Sequence, residues 1–354
     1  MASDRVVVVG TGMMTAVGLT TAETVASVRS ATMRFTETPI HDHRFAPFTV
    51  AEVIEDGLPE LVMESEDSTG LTSREMRMLR LGVMPIKECL EALRQRAPAP
   101  GLMLALPETQ TTSPLDGKRF LQRFARQASG SFNLGQSDAS QVGRAGGLVA
   151  IGAAADRIRM GRAEFMIAGG IDTYRDLFVL GTLDMEKRVK SSVHLDGFVP
   201  GEGAGFVLLA SQEAAGRVGI TPVATISPVA QAMETGNLYS KEPYRGEGLA
   251  MAVAKLVASG AAGGPITDVY SSMNGESHWG KEWGVSFIRN QPAFLSDHGM
   301  HHPADCLGDA GAASGPIMLG LAVHGLQHHY RRGPCLVYCS SDRGQRAALT
   351  ANAA

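Results

Sequence analysis

Short apolar runs punctuated by glycine alternate along this chain with stretches whose apolar residues recur every three or four positions, which is the pattern of alternating strands and helices. Arg5 to Val9 predicts a strand ended by Gly10-Thr11-Gly12, and Thr21 to Val28 predicts the helix after it. Residues 36–70 carry little periodicity, hold His41, His43 and the acidic positions Glu64, Glu66 and Asp67, and are expected to form surface loop. From Ser73 to Leu93 the positions Met76, Leu79, Val83, Ile86, Leu90 and Leu93 keep helical spacing, predicting one long amphipathic helix that runs through Pro85. A strand is expected at Gly101–Leu106 and a helix at Arg119–Ala128. A helix rich in small residues follows from Gly146, then a turn at Gly161 and a strand from Glu164 to Ala168 that stops at Gly169-Gly170. Gly201, Gly203 and Gly205 alternate ahead of an apolar run to Leu209; in an extended segment they share one face and let another backbone approach closely. The remaining expectations are strands at Ile220–Ile226, Thr267–Met273 and Cys335–Cys339, and helices at Glu247–Ala258 and Ile317–Leu326.

Composition narrows the class. Hydrophobic residues at 44%, charged residues at 19% and 41 glycines among 354 residues describe a folded, loop-rich α/β protein with a large core rather than a disordered chain. A net charge of −4 with dispersed basic residues gives no footprint for nucleic acid. Cys89, Cys306, Cys335 and Cys339 form no C-x-x-C pair, which fits a reducing compartment, and no apolar run reaches the ~18 residues of a membrane span. The expectation is a soluble cytoplasmic protein. The glycines after the first strand invite a dinucleotide-binding reading, but Thr15 stands where the third glycine of G-x-G-x-x-G belongs. His41-x-His43 lacks a nearby third ligand and reads as two solvated histidines.

Three strings carry a more specific message. Asp196 to Gly205 reads D-G-F-V-P-G-E-G-A-G, the opening strand and loop read V-V-V-V-G-T-G-M-M-T-A-V-G, and Gly147 to Asp172 reads G-L-V-A-I-G-A-A-A-D-R-I-R-M-G-R-A-E-F-M-I-A-G-G-I-D. Together with the S-R-x-x-R-M start at Ser73, they resemble the β-ketoacyl synthases of the thiolase-like superfamily. The resemblance implies a five-layered αβαβα fold of two similar halves, residues 1–214 and 215–354, in one compact unit. The stretch from Ala128 to Gly143 is shorter than the family's lid and dimer-side loops.

In that family the helix at Gly146 follows a nucleophilic cysteine, favoured as thiolate by the helix N-terminus. Counting back without a gap puts Arg144 there, and an arginine stays protonated and is no nucleophile. The family's A-H-G-T-x-T histidine falls on Asn274 in Met273-Asn274-Gly275-Glu276-Ser277-His278, and asparagine cannot shuttle a proton. Matching N-x-G-H-x-x-G-A-A-G to His302–Ala313 puts the last histidine on Asp305. The G-F-G-G turn is replaced by Ser340-Ser341-Asp342-Arg343-Gly344. Glu276, His278, Asp309, Asp342 and Arg343 are expected nearby, either as a fixed polar network of cations and carboxylates that closes the site or as an open polar site with new chemistry.

Two functions of different class follow from the resemblance. One is a ketosynthase-like protein of acyl-chain or polyketide-type metabolism without condensing activity, a homodimer or a heterodimer with a catalytic ketosynthase, as chain-length-factor subunits are, with an acyl carrier protein as a further partner. The other is an unconventional acyltransferase or thioester hydrolase, with Cys306 or Ser140 as nucleophile (Ser137 in another register) and His278 or Glu276 as base. Asp297, His298, His301, His302, Asp305 and Cys306 gather ligand-type side chains within ten residues but show no zinc spacing; no metal and no cofactor is expected.

Overall fold

The computed structural model describes residues 5–62, 70–93, 96–109 and 114–354; the acidic positions Glu64, Glu66 and Asp67 lie outside them. In chain order the first part comprises β1 (Val6–Thr15), α1 (Thr21–Arg29), the hairpin β2 (Thr36–His41) and β3 (Pro47–Val50), α2 (Ser73–Leu81), α3 (Val83–Leu90), β4 (Gly101–Ala105) and α4 (Gly117–Gln127). It continues with β5 (Asp138–Ser140), α5 (Gly146–Arg159), β6 (Phe165–Thr173), α6 (Leu177–Met185), β7 (Glu202–Ser211) and α7 (Gln212–Arg217). The second part holds β8 (Ala224–Ile226), β9 (Ala230–Met233), α8 (Glu247–Ala258), β10 (Ile266–Ser271), α9 (Ser277–Asn290), β11 (Phe294–His301), α10 (Ala304–Leu307), α11 (Ser314–Gln327), β12 (Cys335–Ser340) and β13 (Gln345–Ala353).

The strands run β5-β4-β6-β7-β1 and then, across the β1–β8 pairing, β8-β13-β12-β10-β11, with β9 added beside β13. Read outward from the middle, both sides take their first, last, fourth, second and third strands in the same order. In both, the inner two pairings are antiparallel and the outer two parallel. The chain thus folds as two similar halves. Helices α5 and α11 occupy equivalent places, each between an outer strand and the next, and pack against each other in a shared core of Leu148, Ile151, Ile317 and Leu321 with strand residues of both halves. Outer helices α2–α4 cover one side and α8–α9 the other, each over its own apolar cluster. This is the five-layered αβαβα arrangement expected from the sequence.

Close approach explains the glycines. A Cβ on Gly205 of β7 would sit 2.9 Å from the Ile317 backbone nitrogen, and one on Gly170 of β6 would lie 2.1 Å from the Ala312 carbonyl oxygen, so α11 and the turn before it rest on bare strand backbone.

Several elements differ from their sequence reading. The first strand does not stop at Gly10 but bends there and runs on to Thr15, because α3 lies against it: a Cβ on Gly12 would be 1.9 Å from the Pro85 carbonyl oxygen. Likewise β6 continues through Gly169-Gly170 to Thr173. The helix expected over Ser73–Leu93 is two, parted at Gly82, since Pro85 has no N–H to give the Leu81 carbonyl. The start of α2 is held by a capping box between Thr72 and Glu75. Residues 36–50, expected as loop, form the hairpin, whose first strand turns only Thr38 fully inward and so leaves no alternation to read.

Candidate functional site

The N-terminal ends of α5 and α11 meet beside the loops after β10 and β12, and each loop contributes a polar side chain. Gly143, at φ +67°, turns the chain into a short 3-10 turn that places Arg144 just ahead of α5. Gly308, at φ +68°, ends α10 and places Asp309 just ahead of the 3-10 turn Gly311–Ala313 that leads into α11. Arg144 Nη1 donates to Asp309 Oδ2 at 2.6 Å, its Nη2 donates to Asp342 in the β12–β13 turn, and its Nε donates to the Ser340 carbonyl at 3.0 Å. Asp309 Oδ2 also accepts from Asn274 Nδ2 at 2.8 Å, and Asn274 Nδ2 reaches Glu276 Oε2 at 3.2 Å. Arg188, in the loop after α6, grips Glu276 with both edges of its fork, Nε at 2.7 Å and Nη2 at 2.9 Å, and donates to Asp342 Oδ2 at 2.7 Å.

The contacts close on themselves: Arg144, Asp309, Asn274, Glu276, Arg188 and Asp342 form one ring of hydrogen bonds. All six are buried except Asp342, whose side chain is 18% exposed. The Trp279 indole donates to Glu276 Oε2 at 2.9 Å and turns its face to the Arg144 guanidinium, 4.7 Å from the ring centre. Burial alone would lower the Arg144 pKa, but the charges of Asp342 and Asp309 hold it well above its ordinary value. Burial would raise the Asp342 carboxyl, yet Arg144 and Arg188 bring it down to about 2. Arg144 and Asp342 neither gain nor lose a proton near neutrality, and a protonated guanidinium is no nucleophile. Beside the ring lies a cavity of ≈ 30 Å³ lined by Glu108, Tyr174, Asp172 and Arg74, room for about two waters. Burial, and then the charge of Asp342, raises Glu108 to about 7.

Of the residues singled out from the sequence, Arg144, Asn274, Glu276, Asp309 and Asp342 are brought together. Asp305 is not: it is exposed on α10, and Asp309 holds the place at Arg144 and Asn274. Arg343 is not the second cation either. Its guanidinium lies 4.9 Å from the Tyr239 ring centre, and Arg188, which the sequence reading missed, takes that role. Cys306 is buried on α10, and burial, then Asp305, pushes its thiol up. Ser140 belongs to β5, where its carbonyl accepts from Leu106 N, and Ser137 Oγ is tied to Asn133 O at 2.6 Å. His278 is one residue from Trp279 but stacks on Tyr244, outside the ring. His43 is not free in solvent, since its Nδ1 lies 2.6 Å from Asp184 Oδ2.

The ligand-type residues of 297–306 do not converge. His298 Nδ1 meets the Leu295 carbonyl at 2.8 Å, His301 Nε2 meets Asp268 at 2.8 Å, and Asp297 is exposed. Among the described residues no three His, Cys, Asp or Glu side chains are grouped to hold a metal, and no helix is long and apolar enough to cross a membrane.

This two-halved sheet around paired central helices is the ketosynthase fold. The chain superposes on the oxazolomycin ketosynthase domain of Streptomyces albus JA3453 with a TM-score of 0.81 at 14% identity, over 99% of this chain and 74% of that one. The ishigamide ketosynthase/chain length factor gives 0.78 at 15% identity over 99% of both chains. A type II polyketide ketosynthase solved in complex with its acyl-carrier protein gives 0.77 at 16%, again over 99% of both. Residues 135–215 match the family model of the β-ketoacyl synthase N-terminal domain. The resemblance read from the sequence therefore holds throughout the fold and, over that segment, in sequence. No curated protein matches the chain significantly.

Proposed function

We propose that this protein is a ketosynthase-like subunit of acyl-chain or polyketide-type metabolism that carries out no decarboxylative condensation and acts by pairing with itself or with a catalytic ketosynthase. The observation that carries this reading is the closed ring at the N-termini of α5 and α11. On the gapless sequence match a permanently protonated arginine takes the place of the family's thiolate; both its charged partners are fixed, and the ≈ 30 Å³ cavity beside it has no room for an acyl chain. A site whose charged side chains are bonded to one another and to the surrounding protein binds its own groups in place of a substrate. Among similar folds, the ishigamide protein is a ketosynthase/chain length factor and another ketosynthase was solved with its acyl-carrier protein. Those names support a subunit that pairs and works beside such partners.

The test is to incubate the purified protein with acyl and malonyl thioesters and follow both the products and the intact protein mass. Neither carbon–carbon bond formation nor an acyl adduct is expected, and sedimentation should show a dimer. Malonyl-dependent chain extension by the protein alone overturns the reading, as does an adduct abolished by Cys306→Ala or Ser140→Ala.

A further inference from the structure

A second polar cluster lies behind Trp279. Arg346 of β13 is fully buried; its Nε donates to Glu282 Oε1 at 2.6 Å and its Nη1 to the Ser341 carbonyl at 2.7 Å. Glu282 is completed by the Ser340 hydroxyl at 2.5 Å. The remaining Arg346 nitrogen, Nη2, is buried with no partner, and so are the Tyr244 hydroxyl and His278 Nε2. These atoms come from three elements, the loop before α8, the first turn of α9, and β13, yet the charge of Arg346 reaches both other residues. The Tyr244 and His278 rings are 4.2 Å apart, His278 sets its edge 4.7 Å from Trp279, and the Arg346 guanidinium lies 5.6 Å from the Trp279 ring centre. Arg346 is the charge that bears most on His278, and Glu282 and Arg346 are the charges that bear most on Tyr244.

A buried polar atom without a partner is costly, and three at one place point to a guest that all of them can hold. The guanidinium N–H and the phenol O–H donate, and imidazole Nε2 donates in one of its tautomers. The complementary guest is therefore an acceptor, and the free edge of a guanidinium favours one with negative charge. We propose that Tyr244, His278 and Arg346 form a binding site for a small monoanion, a carboxylate or a halide, with Trp279 as one wall. The site is separate from the Arg144 ring but shares the indole with it, so an occupant there also packs against the wall that faces Arg144.

Trp279 is one of only two tryptophans, which gives the test its signal. Protein held in halide-free, carboxylate-free buffer is titrated with sodium formate, acetate or chloride at constant ionic strength, following tryptophan fluorescence and melting temperature. The expected result is a saturable change in both, with an apparent affinity at least tenfold weaker in Tyr244→Phe. Preference for formate and acetate identifies a carboxylate site, and preference for chloride a halide site. His278→Gln serves as a second variant, with the same weakening expected. The proposal is overturned if no anion gives a saturable response, or if the variants respond as the parent does. It is equally overturned if Tyr244→Phe lowers the melting temperature by the same amount in every buffer, because water alone then fills the site.

Discussion

Arg144 holds the ring because it alone touches both Asp309 and Asp342. Replacing it by glutamine leaves two carboxylates facing each other without their shared cation, and breaking a buried pair of this kind costs about 3–5 kcal/mol. The pH dependence has a defined sign. Asp342 is lowered in the folded protein to about 2 from its ordinary 3.8, so its contribution is present above pH ~4 and is lost as pH falls through about 2. That contribution is roughly 2 kcal/mol. In Arg144→Gln the carboxyl keeps Arg188 and the more distant charge of Arg346, its pKa rises, and the loss begins at higher pH. Urea unfolding between pH 2 and 7 should therefore show a lower plateau and an acid limb displaced upward; an unchanged acid limb would mean that Arg144 does not set the Asp342 charge. The sequence revealed part of this ring. Arg144, Asn274 and Glu276 sit at fixed offsets from a glycine and alanine framework, which packing preserves. Asp309 was readable with one residue fewer in the count: it follows a glycine and precedes Gly311-Ala312-Ala313, and only a gapless match moved the position to Asp305. Arg188 gave no signal, because it stands in Glu186-Lys187-Arg188-Val189-Lys190, a run that reads as solvated surface. Its burial is set by Glu276 and Asp342, 88 and 154 residues away.

At the scale of the element, helix-on-strand contact decides where glycine is required. Gly170 lies under the turn that delivers Asp309 to the ring, and a methyl group there would meet backbone, which cannot swing aside as a side chain can. Gly170→Ala should cost several kcal/mol, about 3 or more by the cost of overpacking a tight interior. Gly181 is the control: it lies within α6 with nothing within 4 Å of the added carbon, so Gly181→Ala should stabilise by roughly 1 kcal/mol through helix propensity. Thermal melts of the pair should move in opposite directions, and a Gly170→Ala protein as stable as its parent would mean that the turn before α11 shifts freely. The same contacts explain which elements could be read. Helix α8 was legible because one-sided burial imposes a stripe, and α5 and α11 because a long run of small and apolar residues marks a helix buried nearly all round. The true ends of β1 and β6 were not, since glycine reads locally as a break, and only a helix packed on the strand makes it a continuation.

Across the whole molecule, the ring joins the two halves. Arg144 and Arg188, its two cations, belong to the first half, whereas Asn274, Glu276, Asp309 and Asp342 all belong to the second. The shared core has the same division, with Val207 and Ile151 on one side and Ile317, Val337 and Leu349 on the other. A half on its own would expose one face of its central helix and hold the ring's charges of one sign without their counterparts, and neither loss is recovered by the outer layer of helices. Cutting the chain at Gly219, in the turn at φ +68° after α7, separates the halves without dividing a strand. Each piece made alone should lack a cooperative melting transition, whereas the two expressed together should associate and melt as one unit. In the associated protein Arg144→Glu should abolish association, and Arg144→Met, which removes the charge but keeps the volume, should weaken it less. A first half that unfolds cooperatively by itself would show that the outer layer suffices, and that the ring is an addition to a domain already stable without it.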